Sequence, residues 1–229
     1  MTDTTGGPRT DAIRIALVDD QSLFRGGIRM LIGSQPDLVV VGEASDGRQA
    51  IELAAATQPQ VILMDVRMPV LDGIEATKTI LAEADARGVD RPRIIVLTTF
   101  DLDEAAATAI RAGASGFVLK DAEPEFLLAA IRTVHAGNAV IAASATRELF
   151  EHFVQTPAAP VAPARFSELT AREREIFLLA ARGLSNAEIA AAEFLSEATV
   201  KTHISRIFAK LDVRDRVQLV VFAFEHGLV

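Results

Sequence analysis

The chain has 229 residues, half of them hydrophobic and 24% charged, which is enough for one large domain or two ordinary ones and too apolar for a disordered tail. Cysteine is absent, which excludes disulfides and thiolate metal sites and fits a reducing compartment. The net charge of -8 argues against a general affinity for nucleic acid, and no run approaches the ~18 apolar residues that span a bilayer.

Residues 1–10, with Gly6-Gly7-Pro8, lack the apolar core of a signal peptide and read as a frayed terminus. Ile13–Val18 is a first expected strand, ending on Asp19-Asp20. Leu38–Val41 is a second, closed by Gly42. The third is Val61-Ile62-Leu63-Met64, an unbroken apolar run that ends on Asp65 and is then turned by Met68-Pro69 and by Leu71-Asp72-Gly73. A run of this kind reads as a strand buried on both faces. Ile94–Leu97, ending at Thr98-Thr99, is the fourth, and Gly116–Leu119, followed by Lys120-Asp121, the fifth. Helical patterns lie between or after them at Leu23–Ile32, Gly47–Ala56, Gly73–Ala86, Asp103–Ala112 and Pro124–His135. This alternation implies right-handed parallel βαβ units, and so a doubly wound, five-stranded parallel sheet of the α/β class.

The carboxyl edge of such a sheet is where ligands bind. One aspartate at a strand end is ordinarily a turn or cap residue. Here Asp19, Asp20, Asp65, Thr98 and Lys120 all stand at strand ends and converge on one edge. Close carboxylates repel unless a hard cation lies between them, and an all-oxygen set with room for water suits Mg²⁺. A carboxylate beside that cation can attack a phosphoryl group. Lys120 would pair with the transferred group, and the Thr98 hydroxyl would bond one of its oxygens.

After Gly137-Asn138, Ala142–Phe153 is expected as a short helix, and the proline-rich residues 156–164 as an extended linker. The domains are therefore residues 11–137, a linker over 138–165, and residues 166–229. From Phe166 onward there are 8 Lys+Arg and 9 Asp+Glu, net -1, while the remaining 15 and 22 give net -7 before it. Thr170-Ala171-Arg172-Glu173 and Ser185-Asn186-Ala187-Glu188 are capping boxes that open two helices, the second running through Ala192. Ser196 caps a third helix from Glu197 to about Leu211, and Asp215 begins a fourth that Gly227 ends. Short helices with tight turns point to a small all-α helix-turn-helix domain.

At helical spacing, Val200, Ile204, Ile207, Phe208 and Leu211 of the third helix face inward. Thr202, Ser205, Arg206 and Ala209 face outward with Lys201 and Lys210 on the flanks, and His203 lies at the core boundary. Between Thr199 and Arg216 five Lys+Arg against two Asp+Glu give a local charge of +3. Small or hydrogen-bonding outward residues are what approach to base edges requires, so Lys201, Thr202, Ser205, Arg206 and Lys210 are the candidate DNA contacts. Val217, Val220, Val221 and Phe224 form a stripe on the fourth helix that serves either as a dimer surface or as packing on the first three.

The pattern Asp19-Asp20, Asp65 before Met68-Pro69, Thr98 and Lys120 resembles the receiver domain of two-component response regulators. Leu169–Glu175, Leu184–Ala190 and Ser196–His203 resemble the LuxR-type helix-turn-helix. Joined, they resemble the NarL/FixJ family. The resemblance implies that Asp65 is the phosphoacceptor and that Asp20, Asp65 and the backbone carbonyl of Arg67 hold Mg²⁺, with Asp19 assisting through water. Thr98 and Phe117 match the family's switch pair. Lys201 would contact the DNA backbone, and Thr202 and Ser205 base edges. The implied partners are a sensor histidine kinase, double-stranded DNA, a second copy of the chain on DNA and RNA polymerase, in the cytoplasm and away from membranes, with no enzymatic role. Glu193 departs from the pattern, which has an apolar residue there; Phe194 and Leu195 are expected to supply the packing. One rival is a regulator whose helical tail binds protein. The other is a phosphohydrolase with an aspartate nucleophile, which would need an acid where Arg67 stands.

Overall fold

Apolar runs bounded by acids and turn residues form the strands of this protein. The structure, a computed structural model, describes residues 12–98, 108–137, 140–141 and 164–229. In chain order the first elements are β1 (Ile13–Val18), α1 (Ser22–Gly33), β2 (Leu38–Ala44), α2 (Gly47–Thr57), β3 (Val61–Asp65), α3 (Gly73–Arg87) and β4 (Arg93–Thr98). Helical residues 108–111, β5 (Gly116–Leu119), α4 (Pro124–His135) and β6 (Val140–Ile141) come next. The strand order is β2-β1-β3-β4-β5-β6. The pairs β1–β2, β1–β3, β3–β4 and β5–β6 are parallel. The order reverses direction between β1 and β3, and this switch point brings the ends of those two strands together.

Two details differ from the sequence reading. β6 is a short sixth strand whose two residues pair opposite Gly116 and Phe117. Gly42 does not close β2, which runs on to Ala44. The register passes from Ile15↔Val40 to Ala16↔Gly42, so Val41 is the extra residue of a bulge. A Cβ on Gly42 would stand 2.3 Å from Leu53 Cδ1, so the glycine admits α2 against the strand. Of the expected helix over Asp103–Ala112 only the last turn lies within the described residues. The expected helix Ala142–Phe153, residues 1–10, Thr99 and residues 156–163 of the linker lie outside them.

The described residues pack as two compact units, one from residues up to 98 with 118–135, the other from 108–117 with those from 136 onward. In the first, every residue of β3 is buried and Ile15, Ile62, Leu63, Met64, Ile94 and Ile95 are fully enclosed. Each such side chain contributes ~1.5–3 kcal/mol. The second contains α5 (Ala164–Ser167), α6 (Ala171–Ala181), α7 (Asn186–Glu193), α8 (Glu197–Leu211) and α9 (Arg216–Glu225). Both capping boxes form: Thr170 with Glu173 opens α6, and Ser185 with Glu188 opens α7. Ile176, Phe177, Ile189, Val200, Ile207 and Leu211 make the core, with Phe166 and Phe222 edge-on to Phe177. Val217 and Val221 of the expected stripe are buried, while Val220 and Phe224 are half-buried. No helix among the described residues is long and apolar enough to cross a membrane.

Candidate phosphoacceptor site and nucleic-acid interface

Asp65 ends β3 inside a strand with no exposed face, so its carboxylate is held in place by packing and is itself 6% exposed. Lys120, directly after β5, sets its Nζ 2.8 Å from Asp65 Oδ2 and 2.7 Å from Asp19 Oδ2. Its main-chain N–H donates to the Thr98 carbonyl at 2.7 Å, which ties the ends of β4 and β5 together. The ammonium also stands 5.0 Å from the Phe24 ring centroid, within cation–π range. Carboxylate oxygens of Asp19, Asp20 and Asp65 lie within 4.8 Å of one another, with Asp19 and Asp65 buried and Asp20 exposed. Asp19 Oδ1 accepts from Gln21 N at 2.8 Å, and its carbonyl accepts from Arg25 Nη1.

Three acids beside one lysine leave negative charge in excess. Burial raises the Asp65 carboxyl above its ordinary value, against the opposing hydrogen bond from Lys120; the neighbouring Asp19 charge adds to the rise. Burial works to lower Lys120, but hydrogen bonds to Asp19 and Asp65 outweigh it and raise its pKa. Oxygen donors this close fit a hard divalent cation. Arg67 lies in the loop after β3, where its backbone N–H donates to the Asp65 carboxylate.

That loop is tightly shaped. Gly73 donates to the Val66 carbonyl at 2.9 Å, and a Cβ there would stand 1.9 Å from the Asp65 carbonyl oxygen. Only glycine admits the start of α3 this close to Asp65. Val70 is left-handed, with φ 68°, between Pro69 and Leu71, whose N–H donates back to the Pro69 carbonyl at 2.7 Å. A β-branched residue in that region is strained, and nothing in the sequence pattern marks Val70. Thr98 is buried and Phe117 fully so; the ring of the expected switch pair is inward in this structure.

In the helical unit, Val200, Ile204, Ile207 and Leu211 of α8 are buried, and Lys201, Thr202, Ser205, Arg206 and Ala209 are exposed. Thr202 and Ser205 hydroxyls donate back to the carbonyls of Ala198 and Lys201 at 2.9 and 3.0 Å, which keeps both side chains close to the helix. Lys210 turns the other way. Its Nζ donates to Glu173 Oε2 at 2.7 Å and to the Glu168 carbonyl at 3.2 Å. Burial would raise Glu173, but the hydrogen bonds from Lys210 and Thr170 prevail and lower it to about 2. Glu193 ends α7, where Arg172 donates to both its carboxylate and its carbonyl. Leu195 packs on the helical core, whereas Phe194 is 96% exposed in a left-handed turn, contrary to the packing expected of it.

A sheet that gathers three carboxylates and a lysine at its carboxyl edge, followed by a helix-turn-helix with an exposed polar third helix, defines a signal-receiving, DNA-binding regulator. Residues 15–132 match the response regulator receiver domain and residues 167–223 the luxR family of bacterial regulatory proteins; the chain belongs to the response regulators that join the two. It is 46% identical over 223 residues to the uncharacterized transcriptional regulatory protein YxjL of Bacillus subtilis, across 96% of this chain and 98% of that one. Transcriptional regulatory protein LiaR of the same organism is 39% identical over 217 residues, across 95% and 99%. A solved LuxR-family response regulator from Aurantimonas matches at 36% identity and a TM-score of 0.57, over 63% of this chain and 99% of that one. Such proteins regulate transcription rather than catalyse metabolism, so the phosphohydrolase reading is set aside.

Proposed function

We propose that a sensor histidine kinase phosphorylates Asp65 and that the modified receiver drives two copies of the chain onto two DNA half-sites, in the cytoplasm, where they engage RNA polymerase. The observation that carries this is the ammonium of Lys120 held between Asp19 and Asp65 at the ends of three strands. A phosphoryl group on Asp65 offers Lys120 a stronger anion than either carboxylate. The buried Thr98 hydroxyl is the second donor for that group. Asp19, Asp20, Asp65 and the Arg67 carbonyl would hold Mg²⁺, which when bound offsets the negative charge of the acids and of an incoming phosphoryl group. Because cations lower carboxyl pKa values, the same ion would favour the ionised, nucleophilic form of Asp65. Leu23 of α1 is 90% exposed and lines a cavity of about 380 Å³ together with Phe24, Leu119 and Lys120, which gives the kinase an apolar surface next to its target.

DNA is met through α8, with Lys201 and Arg206 on phosphates and Thr202 and Ser205 toward base edges. Incubation with acetyl phosphate and Mg²⁺ should add one acid-stable, base-labile phosphoryl group and tighten DNA binding. Asp65→Asn should abolish both. Equal labelling of that variant would remove Asp65 from its role.

A further inference from the structure

We propose that Arg172 and Glu193 are a positioning pair that sets the pitch of the recognition helix α8 on DNA. The inference rests on the reading that α8 faces DNA. Arg172 sits in the first turn of α6, where Nη1 bonds Glu175 Oε2 at 2.8 Å. The same guanidinium reaches across to the last residue of α7, with Nη1 on the Glu193 carboxylate and Nη2 on the Glu193 carbonyl at 3.0 Å. One planar fork thus holds a side chain and also a carbonyl that the helix end leaves without an intrahelical partner. It ties the start of one helix to the end of the next.

The turn after Glu193 has little freedom. Phe194 is left-handed with φ 56°, Leu195 is packed on the core, and Ser196 caps α8 by accepting from Thr199 N at 3.2 Å. Lys201 and Thr202 begin the next turn. A shift at the end of α7 therefore carries through three constrained residues to the outward side chains of α8. Where the LuxR-type pattern ends this helix on an apolar residue, packing would hold the turn. A carboxylate cannot pack in that way, and here the arginine holds it instead. The pair is partly exposed, with side chains 36% and 23% accessible, so it adds little to stability. Its effect is directional.

The test uses the full chain and two duplexes: one enriched by the parent protein from a random-sequence library, and a scrambled duplex of equal length and composition. Glu193→Gln should bind the enriched duplex about tenfold more weakly, the discrimination of roughly one base contact, with its melting temperature nearly unchanged. On the scrambled duplex its affinity should hold or rise slightly, because a negative charge near a polyanion is gone. Arg172→Lys keeps the charge but loses the fork, and should move in the same direction. If Glu193→Gln binds the enriched duplex as well as the parent, or loses both duplexes in equal proportion as helix content falls, the proposal is overturned. Lys201→Ala separates the two layers. A loss on both duplexes with this variant, beside an inert Glu193→Gln, overturns the pair alone, whereas an inert Lys201→Ala removes the reading that α8 faces DNA and the pair with it.

Discussion

Lys210 lies on the basic flank of α8, yet replacing it should cost stability and not DNA affinity. Lys210→Met keeps most of the aliphatic stem and removes the charge. In the parent that charge stands 2.7 Å from Glu173, whose side chain is only 5% exposed. A hydrogen bond to a charged group nets ~1.5–3 kcal/mol. Lys210 is 34% exposed and so partly screened, and Glu173 keeps its bonds to Thr170, so the loss should be about 1–2 kcal/mol. The pH dependence has a definite sign. Glu173 is lowered from 4.5 to about 2, so its contribution is present above pH 4.5 and is lost as the pH falls through about 2. The gap between parent and variant should therefore be full at neutral pH and close across that acid window. Hydrogen exchange of peptides covering α6 and α8 reads the local opening directly. In parallel, the slope of binding against salt should match the parent. Unchanged exchange together with a slope flatter by about one would place Lys210 on a phosphate and refute the reasoning.

Gly73→Ala should push the Asp65 carbonyl away from a Cβ that would otherwise stand 1.9 Å from it, at a cost of about 1–3 kcal/mol. Labelling by acetyl phosphate should slow, and normal labelling with unchanged melting would contradict so close an approach. Lys120→Ala should leave Asp65 open to labelling while weakening the gain in DNA affinity that labelling brings. A mobility-shift titration with and without acetyl phosphate measures that gain, and an undiminished gain would show that Lys120 does not transmit the signal.

Much of the receiver was legible because its signals are local and repeated. Four apolar residues ending on Asp65 admit one placement, and parallel strands separated by helices put Asp19, Asp65 and Lys120 on the same edge. The capping boxes at Thr170 and Ser185 are equally local, since donor and acceptor are three residues apart. What escaped depends on contacts between distant segments. Gly42 reads as a terminator until Leu53 is known to press against it. Helical spacing puts Lys210 on a flank but cannot say that Glu173, 37 positions away, captures it. Glu193 is a departure in sequence and becomes intelligible only with Arg172, 21 positions away, beside it. Val70 carries its strain in a backbone angle that its side chain does not advertise.

These distant contacts also change what the charge count means. The five cations from Lys201 to Arg216 give a local +3, which suggests a broadly attractive face. Lys210 is held by Glu173, Arg214 is paired with Asp215 at 3.4 Å, and Arg216 donates to the Leu184 carbonyl and to Asn186. Burial also lowers the pKa of Arg216. Lys201 and Arg206 are the exposed cations of α8. With a slope of about -0.9 per phosphate neutralised, phosphate contacts by these two would give one domain only a shallow salt dependence and weak general binding. The positive charge of the helix-turn-helix thus goes largely into holding the domain together, with little left to attract DNA. In the proposed pairing, useful affinity comes from joining two domains on adjacent half-sites, where the second contact is made at high effective concentration. On that proposal a receiver switch that governs pairing would govern nearly all of the affinity, because a single domain would have so little of its own.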